Sequence, residues 1–300
     1  MSLIGEGANA CAYRPQLPCT SEETRFHTTG AAPPQTIGKV FRVSNLGAAD
    51  EEVTVATTAE RFGAPDLIAR CQVARADAVG CAVAPLGSSL EQLVYEDVGH
   101  ASLREVLARP AIGWVEWEAL LRGFAAGVLG SLDAMRREGF VHMDIHAGNV
   151  VVGRGGAMRL IDFSWVRPLR TFWSPRVFMR FAFHEFTHGP PATPHSDWGP
   201  LARRATDRLR GLLEHSPPPP PPAPQPPETA GFDPDAAGRL LWALALKAGA
   251  SGSGGPPPPS RSHVLDTAAL VAAGLTHPDV RVRVATAGDA RRALLDALAA

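Results

Sequence analysis

Apolar residues recur at helical spacing along WVEWEALLRGFAAGVLGSLDAMRREGF, 114–140, up to Gly139, the residue type that closes a helix at its C-terminal end. The pattern predicts a buried helix ending there. The first hundred residues are different. They break into short valine-rich or mixed runs, TIGKVFRV at 36–43 and CAVAPL at 81–86, around one helical segment, AADEEVTVATTAERFG at 48–63. This predicts a small sheet with one helix. Past the long helix, the valines at 150–152, then RGG and MRLIDF, predict two short strands joined by a glycine turn. GFDPDAAGRLLWALALKAG at 231–249, SHVLDTAALVAAGL at 262–275 and a last segment near 287–299 read as helices. The expected class is α+β: a small antiparallel sheet plus one helix, then a mainly helical region.

Two low-complexity stretches interrupt the helical region, HSPPPPPPAPQPPET at 215–229 and SGSGGPPPPS at 251–260. Proline removes a backbone donor and favours extended polyproline II, so neither stretch is expected inside a helix or a central strand. Both are read as exposed inserts, spacers first and ligands for SH3 or WW domains second.

With 45% hydrophobic and 20% charged residues, 300 residues suffice for a proper core. The formal charge of -1 gives no bulk reason to expect nucleic acid or an anionic membrane. Cys11, Cys19, Cys71 and Cys81 contain no C-x-x-C pair and lie in a chain too large to depend on disulfides. Reduced thiols in a cytoplasmic or nuclear setting are the expectation. The opening MSLIGEGANA lacks the pattern of a secretory signal, and no stretch approaches 18 uninterrupted apolar residues, so neither secretion nor membrane spanning is expected.

The chemistry concentrates in FVHMDIHAGNVVV, 140–152, where His142, Asp144, His146 and Asn149 crowd between two apolar segments. His142 and His146, four apart, would share a helix face as zinc ligands do, but Gly148 and the valines argue against helix. Phosphoryl transfer is the stronger reading. An aspartate that accepts a hydroxyl proton, an asparagine that holds one Mg²⁺ and a second aspartate that holds another are supplied by H-x-D-x(4)-N followed by I-D-F, that is, Asp144, Asn149 and Asp162.

In these motifs the chain resembles the protein kinase superfamily. HMDIHAGN is similar to its catalytic loop and LIDFS to its metal-binding D-F-G turn. IGEGANACAY, 4–13, is similar to the glycine-rich loop, with Gly5 and Gly7 in place and Ala10 where the third glycine stands; Ala12 follows as a nucleotide contact. IGKVF, 37–41, resembles the strand of the ATP-positioning lysine, here Lys39, with Gly38 replacing the customary alanine. Glu52 on the next helix would be its ion-pair partner, with Glu51 as the alternative. LVYEDVGHASL, 93–103, resembles the hinge: Tyr95 flanks the adenine pocket, and backbone groups of Glu96 and Val98 bond adenine. FDPDAAGRLLWALAL, 232–246, is similar to the central helix of the larger lobe, whose first aspartate, Asp233, anchors the catalytic loop; THPDVRVR, 276–283, resembles the turn carrying a structural arginine, Arg283. The resemblance implies a two-lobed fold, with an N-lobe over 1–97 and a C-lobe over 98–300. It also implies Mg²⁺ or Mn²⁺ as metal, ATP as co-substrate and a protein hydroxyl as acceptor.

The chain departs from the family pattern at several places. Met143 replaces the arginine that pairs with a phosphorylated activation loop, His146 stands where a lysine touches the γ phosphate, and Ser164 replaces the glycine of D-F-G. No A-P-E triplet follows at the usual distance; GPPATP at 189–194 and PPE at 226–228 are imperfect substitutes, with Glu185 or Glu228 as partner for Arg283. Three readings follow. The first is a serine/threonine protein kinase similar to the compact divergent kinases of large DNA viruses, favoured by Asp233, Gly238 and THPDVRVR. The second is a small-molecule kinase of the aminoglycoside or choline type, suggested by DIHAGN. The third is a pseudokinase scaffold, against which Lys39, Asp144, Asn149 and Asp162 together speak.

Overall fold

A computed structural model describes residues 1–6, 10–21, 24–26, 35–41, 46–81, 90–110, 112–168, 232–250, 259–276 and 280–300. They form two compact units, Met1–Val98 and Gly99–Ala300. The class is α+β.

In the first unit, six antiparallel strands make one sheet: β1 (Ser2–Glu6), β2 (Ala10–Arg14), β3 (Thr24–Arg25), β4 (Thr36–Phe41), β5 (Leu67–Val73) and β6 (Leu90–Glu96), in the order β1-β2-β4-β6-β5-β3. Because side chains alternate along a strand, each strand feeds two clusters. Cys11, Tyr13, Val40, Cys71, Val73 and Leu90 point to one face and pack with Leu17 and Ala78. Ala10, Phe41, Leu67 and Leu93 point to the other, where Ala49 and Ala56 of α1 (Leu46–Ala59) cover them. The period of two also sends Lys39, two residues before Phe41, to the α1 face. The helix expected at 48–63 is α1 plus a 3-10 turn, Glu60–Phe62, closed by Gly63 at φ 82°. In CAVAPL, Cys81 lies outside any strand and 82–86 lie outside the described residues.

The expectation of reduced thiols is overturned. Cys11 is bonded to Cys81 and Cys19 to Cys71, with Cα separations of 6.1 and 5.7 Å, and no cysteine is free. Cys11 on β2 and Cys71 on β5 belong to the same apolar face, and their partners come from the connections that cross it. Strand order decides this, and spacing along the chain does not reveal it. The argument for a reducing compartment falls with it. The closed segments span 70 and 52 residues, so the chain-entropy model gives about 4 kcal/mol for each bond alone. Thiol titration of the denatured, unreduced chain should therefore find no reactive cysteine, and reduction should lower the thermal midpoint; four reactive thiols before reduction would contradict the pairing.

Gly38 is also explained. Gln92, fully buried on β6, accepts from the Leu17 N–H at 2.9 Å and donates to the Leu17 carbonyl at 3.0 Å. A Cβ at Gly38 would collide with that amide.

The second unit opens with β7 (Ala101–Ser102) and α2 (Leu103–Ala108), where Ser102 and Glu105 form a capping box. The long helix predicted over 114–140 is α3 (Trp114–Gly123), a π-helical turn (Phe124–Val128) and α4 (Leu129–Arg137), and Gly139 closes it at φ 76°. Trp117 is fully buried and donates through Nε1 to the Leu244 carbonyl at 2.8 Å, tying α3 to α5 (Phe232–Ala250). β8 (Phe140–Val141) pairs with β11 (Arg167–Pro168), while β9 (Val150–Val152) and β10 (Met158–Leu160) form the expected hairpin, turned by Gly155 and Gly156 at positive φ, with β7 on its other edge. The unit ends with α6 (Pro259–Leu275) and α7 (Val280–Ala299). The second proline-rich stretch is thus shorter than expected, since Pro259 and Ser260 open α6; proline is tolerated in a first helical turn because no intrahelical donor is needed there. The stretch 215–229 and residues 251–258 lie outside the described residues. Among the described residues no helix is long and apolar enough to cross a membrane.

Candidate functional site

The site residues fall into two groups, one in each unit. In the second unit, the segment after β8 is held from below by Asp233 in the first turn of α5. The His142 and Met143 N–H groups donate to its two carboxylate oxygens at 2.5 and 2.9 Å. Met143 adopts φ 68°, and the second positive-φ residue other than glycine among the described residues is Asp162, at 59°. Both are sparsely populated conformations, and strain of this kind concentrates at functional turns.

From this anchored turn, Asp144 and Asn149 meet. The Asn149 amide donates through Nδ2 to Asp144 Oδ2 at 2.8 Å and to the Asp144 carbonyl at 3.0 Å, which leaves its Oδ1 as the end able to face a cation. The Asn149 N–H donates to the His146 carbonyl and its carbonyl accepts from Ile161, both at 2.9 Å, so the loop is stitched to the residue before Asp162. His146 accepts the Gly148 N–H on Nδ1 at 3.0 Å; its Nε2 lies 3.8 Å from Asp144 Oδ1. The two Asp144 oxygens thus have different neighbours, and the side chain is 20% exposed, within reach of an acceptor from solvent. On the following turn, Ser164 Oγ donates to Asp162 Oδ1 at 2.9 Å, a restraint that glycine would not supply.

His142 is fully buried. Its Nδ1 accepts the Asp144 N–H at 3.3 Å, and its ring leans on Phe163 at 4.8 Å between centroids. Burial pushes its pKa down to about 4, against the pull of Asp162 and the Ile161 carbonyl and with the push of His146. The ring is neutral at pH 7. Burial pushes Asp233 up to about 6, against the two N–H donors and with a contribution from Asp144. These shifts have opposite consequences. Unfolded, the groups titrate near 3.8 for Asp233 and 6.5 for His142. Around pH 5 the folded pair holds one proton, on Asp233, and the unfolded pair also holds one, on His142, so the pair adds almost no slope to stability. Each single variant should uncover the other group. In His142→Phe, Asp233 alone remains, and stability should rise by about 1 kcal/mol per unit as pH falls from 6 towards 4. In Asp233→Asn, His142 remains, and stability should fall by a similar amount per unit as pH drops from 6.5 towards 4. Urea unfolding at several pH values checks both; parallel profiles for the two variants would contradict the assignment.

In the first unit, Lys39 Nζ donates to Glu52 Oε1 and Oε2 at 2.8 and 2.6 Å, and the Tyr95 hydroxyl donates to Glu52 Oε1 at 2.8 Å. Glu52 is buried while Glu51 is exposed, which settles the choice between them. Gly5, Ala12 and Lys39 are register partners across β1, β2 and β4. The Glu96 N–H is already donated to the Asp66 carbonyl at 3.0 Å; Val98, half-buried, ends the unit. Gly7, Glu185, Glu228 and the stretches 189–194 and 226–228 lie outside the described residues, and Arg283 falls in the first turn of α7.

Three features escaped the sequence reading. The Met143 backbone leaves no mark in composition, and neither does the π-helical turn. The Tyr95 bond to Glu52 was accessible, since alternation along β6 puts Tyr95 on the face of Leu93.

The zinc reading finds no support, because 142–149 is not helical and no group of three or more His, Cys, Asp or Glu side chains that could hold a metal forms among the described residues. Mg²⁺ asks for less: it keeps several waters and takes one or two carboxylates plus phosphate oxygens. Asp162 and the Asn149 Oδ1 fit that demand. No known protein-family model matches this chain, and no curated protein matches it.

Proposed function

We propose that this chain is an ATP-dependent phosphotransferase of the protein kinase type, with serine or threonine hydroxyls as acceptors and with the two units as the lobes of a kinase-like fold. The supporting observation is the Asp144–Asn149 pair, held on a loop that Asp233 anchors through two consecutive N–H groups. A carboxylate with one oxygen fixed by an amide, on a side chain that remains 20% exposed, suits a base that orients a hydroxyl. In this reading Asp144 receives the hydroxyl proton as the acceptor oxygen bonds to the γ-phosphorus. The bond from that phosphorus to the bridging oxygen breaks, and ADP leaves. Lys39, ion-paired with Glu52, takes the α and β phosphates. Asn149 and Asp162 would hold Mg²⁺, whose chemistry is to neutralise charge on the phosphate oxygens. Nothing covalent forms on the protein.

Incubation with γ-labelled ATP, Mg²⁺ and a mixture of protein acceptors, followed by acid hydrolysis, tests this. Label should appear on serine or threonine and only when Mg²⁺ is present. Label confined to added choline, aminoglycosides or sugars would overturn the protein-kinase reading.

A further inference from the structure

Beside His146 lies a cation with no assigned role. Arg104, the second residue of α2, is exposed and its N–H donates to the Ala147 carbonyl at 2.9 Å, which fixes α2 against the loop. Its guanidinium folds over Gly148. A Cβ built at that glycine would come within 3.1 Å of Arg104 Nη2 and within 2.9 and 3.0 Å of His146 Cε1 and Nδ1. Glycine at 148 therefore lets a guanidinium and an imidazole converge on one spot of the loop. Any side chain there would push one of them away.

No carboxylate among the described residues forms an ion pair with Arg104. The nearest candidate in sequence, Glu105, is turned the other way: its Oε2 accepts from the Ser102 N–H at 2.6 Å and from the Ser102 hydroxyl at 2.9 Å. An exposed arginine set against His146, whose Nε2 lies 3.8 Å from Asp144 Oδ1, with its neighbouring acid committed elsewhere, adds positive charge to the loop that carries the proposed base. Asp144 and the phosphates of ATP repel an acidic acceptor; Arg104 is placed to offset that repulsion.

We infer that Arg104, seated on Gly148 beside His146, selects protein acceptors whose serine or threonine is flanked by acidic residues. The inference rests on the phosphotransferase reading and names its substrate class. Arg104 acts on the acceptor by charge and takes no part in the proton transfer. A polycationic small acceptor would meet repulsion at the same place.

The test uses the full chain, γ-labelled ATP with Mg²⁺, and three peptides identical except that the residues around one serine are Asp, Ala or Arg. The wild-type chain should favour the Asp peptide over the Arg peptide by about tenfold in kcat/KM, carried mainly by KM and eroded by added salt. Arg104→Glu should reverse the order of the peptides. Because Arg104 is exposed, KM for ATP, the far-ultraviolet spectrum and the thermal midpoint should stay as in wild type, and Arg104→Lys should retain the acidic preference in part. Transfer with the same peptide order in wild type and Arg104→Glu overturns this inference and leaves the phosphotransferase reading standing. Label on none of the peptides but on a sugar or aminoglycoside sinks both.

Discussion

Asp144→Asn is expected to lower the rate of phosphate transfer by about a thousandfold, the middle of the range for removing a positioned base, while affinity for Mg·ATP stays nearly unchanged. The geometry makes the variant a clean probe. Asn149 Nδ2 donates to Asp144 Oδ2 and to the Asp144 carbonyl, and both bonds survive an amide whose oxygen faces Asn149. The Met143 turn and the Asp233 anchor lie on the backbone side of the loop and do not depend on the carboxylate. What disappears is the group that can take a proton. Single-turnover rates with saturating Mg·ATP, read beside a calorimetric titration of the nucleotide, separate the two quantities. Equal rates in the variant and the wild type would remove Asp144 from the base role.

Asp162→Asn should act on the nucleotide instead, weakening Mg-dependent ATP affinity by at least about a hundredfold. Loss of an outer partner of a metal ligand already costs on the order of ten- to a hundredfold, and Asp162 would be a direct ligand. Backbone strain does not confuse this experiment. Asp162 sits at φ 59° and ψ 69°, a region that asparagine enters as readily as aspartate, and the Ser164 hydroxyl can donate to the amide oxygen as it does to Oδ1. The folded structure should persist, so a fall in affinity reports the missing charge. The two variants also differ in kind. One should bind and not turn over, and the other should fail to bind. Unchanged Mg-dependent affinity in Asp162→Asn would detach this residue from the metal.

The parts of the molecule that were readable from sequence are those set by local chemistry. Gly139 ended the long helix because a left-handed cap needs glycine, and the glycines at 155 and 156 turned the hairpin for the same reason. The Asp233 anchor and the Lys39–Glu52 pair followed from motif order, since each joins segments that the resemblance had already placed. What stayed hidden depends on partners far apart in the chain. The cysteine pairs need the order β2-β4-β6-β5, and nothing in a spacing of 52 or 70 residues discloses it. Gly38 looked like a departure from pattern until Gln92 was found filling the place of its Cβ. The positive φ of Met143 was likewise invisible: its N–H is bonded to Asp233, ninety residues away, and methionine itself carries no preference for that conformation. Arg104 belongs to none of the motifs, and only its approach to Gly148 gives it a place beside the loop.

A crystal structure of the chain grown with Mg²⁺ and a non-hydrolysable ATP analogue would decide whether Asp162 and Asn149 hold the metal. The expected result is a metal about 2.1 Å from a carboxylate oxygen of Asp162 and from Asn149 Oδ1, with the triphosphate completing its shell and Lys39 on the α and β phosphates. A nucleotide bound away from these side chains, or a metal that touches neither Asp162 nor Asn149, would contradict it.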